Sequence, residues 1–170
     1  KHPSNVTVLV GNNGAGKTTL LKSLATSLSW LVARIRTEKG NGNYLAEEDI
    51  RNGASSALIL IGVVDESHAR SSRSDANPED ALFTWGIARG RQGRKAHIHS
   101  SLGDVSLLAD HYRNELTADD KSSLPLIAYY PVERSVLEIP LKIRTKHTFD
   151  QLDGYDNSLN RGVDFRRFFE

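Results

Sequence analysis

Gly11-Asn12-Asn13-Gly14-Ala15-Gly16-Lys17-Thr18-Thr19 is the stretch whose residue types and spacing could do chemistry. It fits G-x-x-x-x-G-K-[ST], the pattern of a loop that wraps a phosphate group. Gly11, Gly14 and Gly16 allow backbone conformations closed to other residues, so that the N–H groups of Asn12, Asn13 and Ala15 and their neighbours can face an anion. A helix starting at Lys17 adds its own unpaired N–H groups and the positive end of its dipole. Lys17 is expected to reach the outer phosphates as a mobile point charge, and the Thr18 hydroxyl to ligate Mg²⁺, with Thr19 a further contact. The competing reading is a glycine turn followed by a solvated lysine.

Such a loop needs a strand before it and a helix after it. Asn5 to Val10 is apolar and β-branched and reads as a buried strand. From Lys17 to about Arg36, Leu20, Leu21, Leu24, Leu28, Leu31, Val32 and Ile35 recur at helical spacing, predicting a long helix that packs this face on a sheet. Trp30 lies more than three turns from the loop and reads as packing rather than as an adenine platform.

The 170 residues, 38% hydrophobic and 25% charged, suffice for one sizeable core and one α/β domain. A formal net charge of +1 excludes a uniformly basic nucleic-acid coat. Zero cysteines exclude disulfides and thiolate metal sites. No run approaches the roughly 20 apolar residues of a membrane helix, so a cytoplasmic protein with no membrane partner is expected. Methionine is absent, including at position 1, and Asp164 to Glu170 ends inside an amphipathic, aromatic element. Both features suggest a fragment.

Further along, Ala46 to Asn52 is expected to form a short helix stopped by Gly53. Ala57 to Val64 is a second apolar strand running into Asp65-Glu66. That pair reads either as the carboxylates that hold magnesium and polarise water, or as a strand entering the polar loop from His68 to Asp80. Ala81 to Ala88 is again strand-like with no helix intervening, which predicts antiparallel pairing in a peripheral sheet. The basic tip that follows, with Arg91, Arg94 and Lys95, could track a nucleic-acid backbone or be a solvated hairpin turn. His97 and His99 alternate beyond it without nearby acidic or thiol ligands. Leu102 to Leu116 reads as a helix, and Leu124 to Pro131 as a central strand parallel to the first, with Glu133-Arg134 just past its end as either a site pair or a surface ion pair. Lys142 to His147 reads as a charged edge, and Phe149 to Leu159 as an amphipathic helix.

The segment from Val8 to Leu21 resembles the phosphate loop of ABC-type and SMC-like ATPases. Tyr129 to Val136, Ile139 to Leu152 and Asp164 to Glu170 are more specific. With the loop, they make nearly the whole chain similar to the N-terminal half of PtuA-type ATPases of Septu and retron-associated antiphage systems. The resemblance implies an α/β P-loop NTPase, the N-terminal lobe of an ABC/SMC-like head with a peripheral antiparallel β subdomain. It divides residues 1–170 into a phosphate-loop unit (1–36), peripheral strands and loops (37–100), and a helix, core strand and start of the next lobe (101–170). It implies ATP and Mg²⁺ as cofactors, a head-to-tail dimer with ATP between two copies, and catalytic carboxylates beyond Glu170, which displaces Asp65 and Glu66. The implied partners are an HNH nuclease, PtuB, and a retron reverse transcriptase with its DNA–RNA product. This sequence departs from the pattern in lacking a glutamine directly after Tyr130, leaving Gln151 as the candidate. Rival readings are a DNA-repair or chromosome-type ATPase and a nucleotide-gated scaffold with little hydrolysis.

Overall fold

Twenty residues without glycine or proline follow Gly16, and they form α1, Lys17–Arg36. The helix stops where Thr37 becomes extended and returns its N–H to the Ala33 carbonyl at 3.0 Å. A computed structural model describes residues 6–65, 67, 81–95, 98–131, 152, 155 and 159. Beyond α1 it contains a 3₁₀ turn at Glu47–Asp49, strands β1 (Ser56–Val64) and β2 (Leu82–Gly90), and helix α2 (Gly103–Ala118).

β1 and β2 pair antiparallel from Ser56 opposite Gly90 to Val64 opposite Leu82, the pairing expected from the sequence. Strand alternation puts Ile59, Ile61 and Val63 directly across from Ile87, Trp85 and Phe83 on one face. Both helices cover that face: Leu31, Val32 and Ile35 of α1 and Val105, Leu108 and Ala109 of α2 complete the core around the fully buried Trp85. The Trp85 indole N–H is satisfied by the Ser27 carbonyl at 3.1 Å. Trp30 is packing as well. It donates to the Asn43 carbonyl at 2.9 Å and meets Tyr44 edge-on, ring centres 5.1 Å apart. A Cβ at Gly42 would fall 2.5 Å from the Trp30 backbone nitrogen, so only glycine lets this loop lie against the helix.

The outer edge of β2 is closed residue by residue. Thr84 N–H donates to Asp104 Oδ2 at 2.8 Å, Gly86 exchanges two backbone bonds of 2.9 Å with Ser101, and Ala88 N–H donates to Ser100 Oγ at 2.9 Å. Among the described residues no strand lies on the other edge of β1.

Four expectations change. Residues 6–10 carry no strand assignment, and Val8 and Val10 are exposed. Leu124 to Pro131 likewise carries no strand assignment: Leu124 and Ile127 pack on the core while Leu126 is 94% exposed. An apolar β-branched or aromatic run favours a strand, but a strand also needs a neighbouring ladder, and neither segment has one among the described residues. The predicted apolar face of α1 is buried only in its C-terminal half, with Leu20, Leu21 and Leu24 exposed. The predicted helix from Ala46 shrinks to the single 3₁₀ turn, because the Asp49 carboxylate accepts the Ala46 N–H at 2.9 Å and Gly53 follows in left-handed backbone. The expectations for Glu66, His68 to Asp80, His97, Glu133-Arg134, Lys142 to His147, Gln151 and Asp164 to Glu170 fall outside the described residues. Of the helix expected over Phe149 to Leu159, only Leu152, Tyr155 and Leu159 are described, and all three pack on the core. No described helix is long and apolar enough to cross a membrane.

Candidate functional site

The loop from Gly11 to Lys17 closes on itself before the helix begins. Ala15 N–H donates to the Asn12 carbonyl at 3.1 Å, Gly14 has φ 84° and Gly16, the residue preceding α1, has φ 87°. A Cβ at Gly14 or Gly16 would meet nothing within 4 Å, so what demands glycine there is the left-handed backbone and not lack of room. The Leu20 N–H donating to the Gly16 carbonyl at 2.9 Å is the first bond of the helix.

No side chain caps that helix start, and its first turn holds no acidic residue. The N–H groups at the start of α1 are therefore available to an outside acceptor, and the dipole gives them a positive potential. Lys17 arches back over the loop, donating from Nζ to the carbonyls of Gly11 at 2.6 Å and Asn12 at 2.8 Å. Its ammonium thus rests on two carbonyl oxygens of the loop. Thr18 and Thr19 are exposed at the rim. These residues fit a phosphate group. For a divalent cation, the described residues hold no cluster of three or more His, Cys, Asp or Glu side chains. Thr18 would share such an ion with phosphate oxygens and water, as suits Mg²⁺.

Asp65 is buried at the end of β1 and faces α2. Its Oδ1 accepts from Ser67 N–H at 2.9 Å and Ser67 Oγ at 2.6 Å, and its Oδ2 accepts from the Tyr112 hydroxyl at 2.9 Å. Burial and then the Asp65 carboxylate push the Tyr112 phenol far above its ordinary range, so Tyr112 stays a donor. Burial alone pushes Tyr155, which donates to the Pro125 carbonyl at 2.6 Å, up to about 12.

The basic tip is not uniformly free. Arg91 donates from Nε to the Ala54 carbonyl at 3.1 Å and from Nη2 to the carbonyls of Ile50 and Arg51 at 2.9 and 3.2 Å. Arg94 reaches the Gly53 carbonyl at 3.3 Å, whereas Lys95 is exposed. Sequence reasoning missed this clasp, and also the Lys22–Asp49 pair at 2.6 Å. In the sequence each is an ordinary surface charge. No sequence signal marks either one; the clasp follows from the β1–β2 register, which brings the tip back toward the residues just before β1.

A left-handed glycine before an uncapped helix, with a lysine arched over the turn, defines a P-loop lobe. In agreement, the AAA domain family model matches residues 3–170, and the chain belongs to that family. The chain is 28% identical to the Retron Vc95 probable ATPase of Vibrio cholerae serotype O1 biovar El Tor, over 97% of this chain and 32% of that protein. It is 29% identical to the Retron Ec83 probable ATPase of Escherichia coli, over 97% of this chain and 29% of that protein. It spans about a third of the length of these relatives. No solved structure matches it.

Proposed function

We propose that this chain binds ATP with Mg²⁺ on the loop from Gly11 to Thr19, and that the full-length protein hydrolyses it as the ATPase of a retron-associated defence system. The observation that carries the reading is Lys17 held over a loop of two left-handed glycines at an uncapped helix start. In this reading Lys17 neutralises the outer phosphates and Thr18 takes a place in the Mg²⁺ shell. Residues 1–170 are then the N-terminal part of one cytoplasmic ATPase domain.

The resemblance to PtuA-type ATPases supports the finer picture of an ABC/SMC-like head. There, two copies sandwich ATP head to tail, and turnover gates an HNH nuclease of the PtuB type, with a reverse transcriptase and its DNA–RNA product as further partners. The carboxylates that hold magnesium and polarise water then come from outside this chain. The engagement of Asp65 with Tyr112 and Ser67 supports assigning that role elsewhere.

The test is Mg²⁺-dependent ATP turnover and ATP binding by the full-length protein beside its Lys17→Ala variant. Loss of affinity or turnover is expected; unchanged binding and turnover together would refute the site. Tight binding without turnover in the unmodified protein would favour a nucleotide-gated scaffold. Turnover by residues 1–170 alone would return Asp65 and Glu66 to the catalytic role.

A further inference from the structure

The turn between α1 and β1 is gripped from two sides. On one side Lys22, five residues beyond Lys17 in the second turn of α1, donates to Asp49 Oδ1 at 2.6 Å. Asp49 is itself fixed, its Oδ2 accepting the Ala46 N–H at 2.9 Å. On the other side the tip after β2 holds the same turn. Arg91 makes its three guanidinium bonds to the carbonyls of Ile50, Arg51 and Ala54, and its backbone N–H donates to Ser55 at 2.8 Å. Gln92 N–H donates to Glu47 Oε1 at 3.3 Å, and the Ile50 side chain is buried beneath. A continuous bracket therefore runs from the hairpin tip, through the turn from Ala46 to Ala54, to the helix that begins at the phosphate loop.

The bracket matters because, among the described residues, little else lies against the start of α1. Leu20, Leu21 and Leu24 are exposed, and the buried residues of the helix begin at Ala25. The pair also sets the charge near the site. A lysine in the early turns of a helix opposes the dipole, and Asp49 neutralises it. With side chains 34% and 24% exposed, the pair is screened and adds little to global stability. Its effect belongs to local geometry.

We propose that Lys22, Asp49 and Arg91 are positioning residues for the phosphate loop, holding the first turns of α1 in the orientation that presents its N–H groups and Lys17 to a nucleoside triphosphate. This rests on the ATP-binding reading above. By linkage, a partner that engages the hairpin tip and disturbs the Arg91 clasp changes nucleotide affinity, and the nucleotide changes that partner's affinity by the same factor.

The experiment is calorimetric titration of ATP with Mg²⁺ into the full-length protein and its variants, with melting temperature measured in parallel. Asp49→Asn and Arg91→Ala are each expected to weaken ATP binding by about fivefold, the lower end of site-to-site coupling. Arg91→Lys should behave like Arg91→Ala, because an ammonium cannot reproduce the fork. The charge swap Lys22→Asp with Asp49→Lys should bind ATP more tightly than Asp49→Lys alone, since the pair is restored in reverse, while staying weaker than the unmodified protein because a lysine cannot accept the Ala46 N–H. Lower melting temperatures with unchanged affinity would overturn the proposal, leaving the bracket a structural brace. Tighter binding by Asp49→Asn would also overturn it, by showing that a released Lys22 serves the phosphates directly. Should Arg91→Ala fail to fold, Asp49→Asn and the swap carry the test, because neither touches the clasp. Absence of ATP binding by the unmodified protein would bring down the functional reading itself, whereas binding that the variants share equally would remove only the bracket.

Discussion

The two halves of α1 are one continuous helix doing opposite work. From Ala25 onward it is buried, with Trp30, Leu31, Val32 and Ile35 joined to Trp85, Ile87 and Leu108 in the core. From Lys17 to Leu24 it is open, with three leucines exposed and its N–H groups uncapped. The buried half anchors the helix axis, and the open half presents polar groups that a phosphate would satisfy. Separating the two leaves the chemistry free of the core, at the cost of a weakly supported helix start. Local opening free energies vary along an element with its packing, so the first turns of α1 should exchange their amide hydrogens sooner than the last.

The sharpest way to break this contrast is to damage each half alone. Trp85→Ala removes the central side chain of the core and should cost about 3–5 kcal/mol, read as a fall in unfolding midpoint. Lys17→Ala should leave stability within about 0.5 kcal/mol of unchanged, being a substitution outside the core, while nucleotide affinity collapses. If Lys17→Ala destabilised the fold as Trp85→Ala does, the halves would not be separable.

Next in size is Gly16→Ala. Space is ample, since a Cβ there meets nothing within 4 Å, so the penalty is the left-handed backbone at φ 87°. Roughly 1–2 kcal/mol of strain is expected. The loop can relieve it only by leaving the conformation that suits a phosphate. Affinity should therefore fall more than stability, as an ATP titration beside a denaturant melt would reveal. Equal losses would mean that the loop braces the fold.

The buried side has its own probe in the two tyrosines at high pH. Tyr112 and Tyr155 both have folded-state values raised above the ordinary value of 10.0, Tyr155 to about 12. A group raised in the folded state contributes stability that is fully present below its unfolded value and lost as pH climbs through the folded one. Stability should thus hold to about pH 10 and decline above it as the unfolded chain ionises first. Tyr155→Phe should flatten this decline, measured by denaturant melts across that range; an unchanged slope would place the titration elsewhere.

How legible these features were in the sequence follows the same divide. The glycine turn before Lys17 and both ends of α1 were readable because local rules decide them: Gly16 can adopt left-handed backbone, and the helix formers run unbroken to Arg36. The antiparallel pairing of β1 with β2 was readable because the sequence between the two apolar runs shows no helical spacing of apolar residues. Which leucines of α1 would be covered was not, because Leu20, Leu21 and Leu24 share the chemistry and spacing of Leu28 and Leu31. Only the position of β2 and α2 distinguishes them. Arg91 was unreadable for a related reason, since its carbonyl acceptors lie some 40 residues away in sequence.

The smallest expected effect also tests whether that open half stays open. Leu24→Ser substitutes a side chain that is 40% exposed, at the boundary between the two halves. In residues 1–170 it should change stability by less than about 0.5 kcal/mol, as surface substitutions do. The same substitution in the full-length protein reports on what lies over the helix there. A cost rising to about 2 kcal/mol or more would mean that Leu24 is buried by the rest of the polypeptide, with a transfer and a cavity contribution added. The start of α1 would then be an internal seam, supported from a second side in addition to the Lys22–Asp49 pair. A cost that stays near zero in both would leave that pair as its principal restraint, and the contrast between the halves would belong to the whole protein.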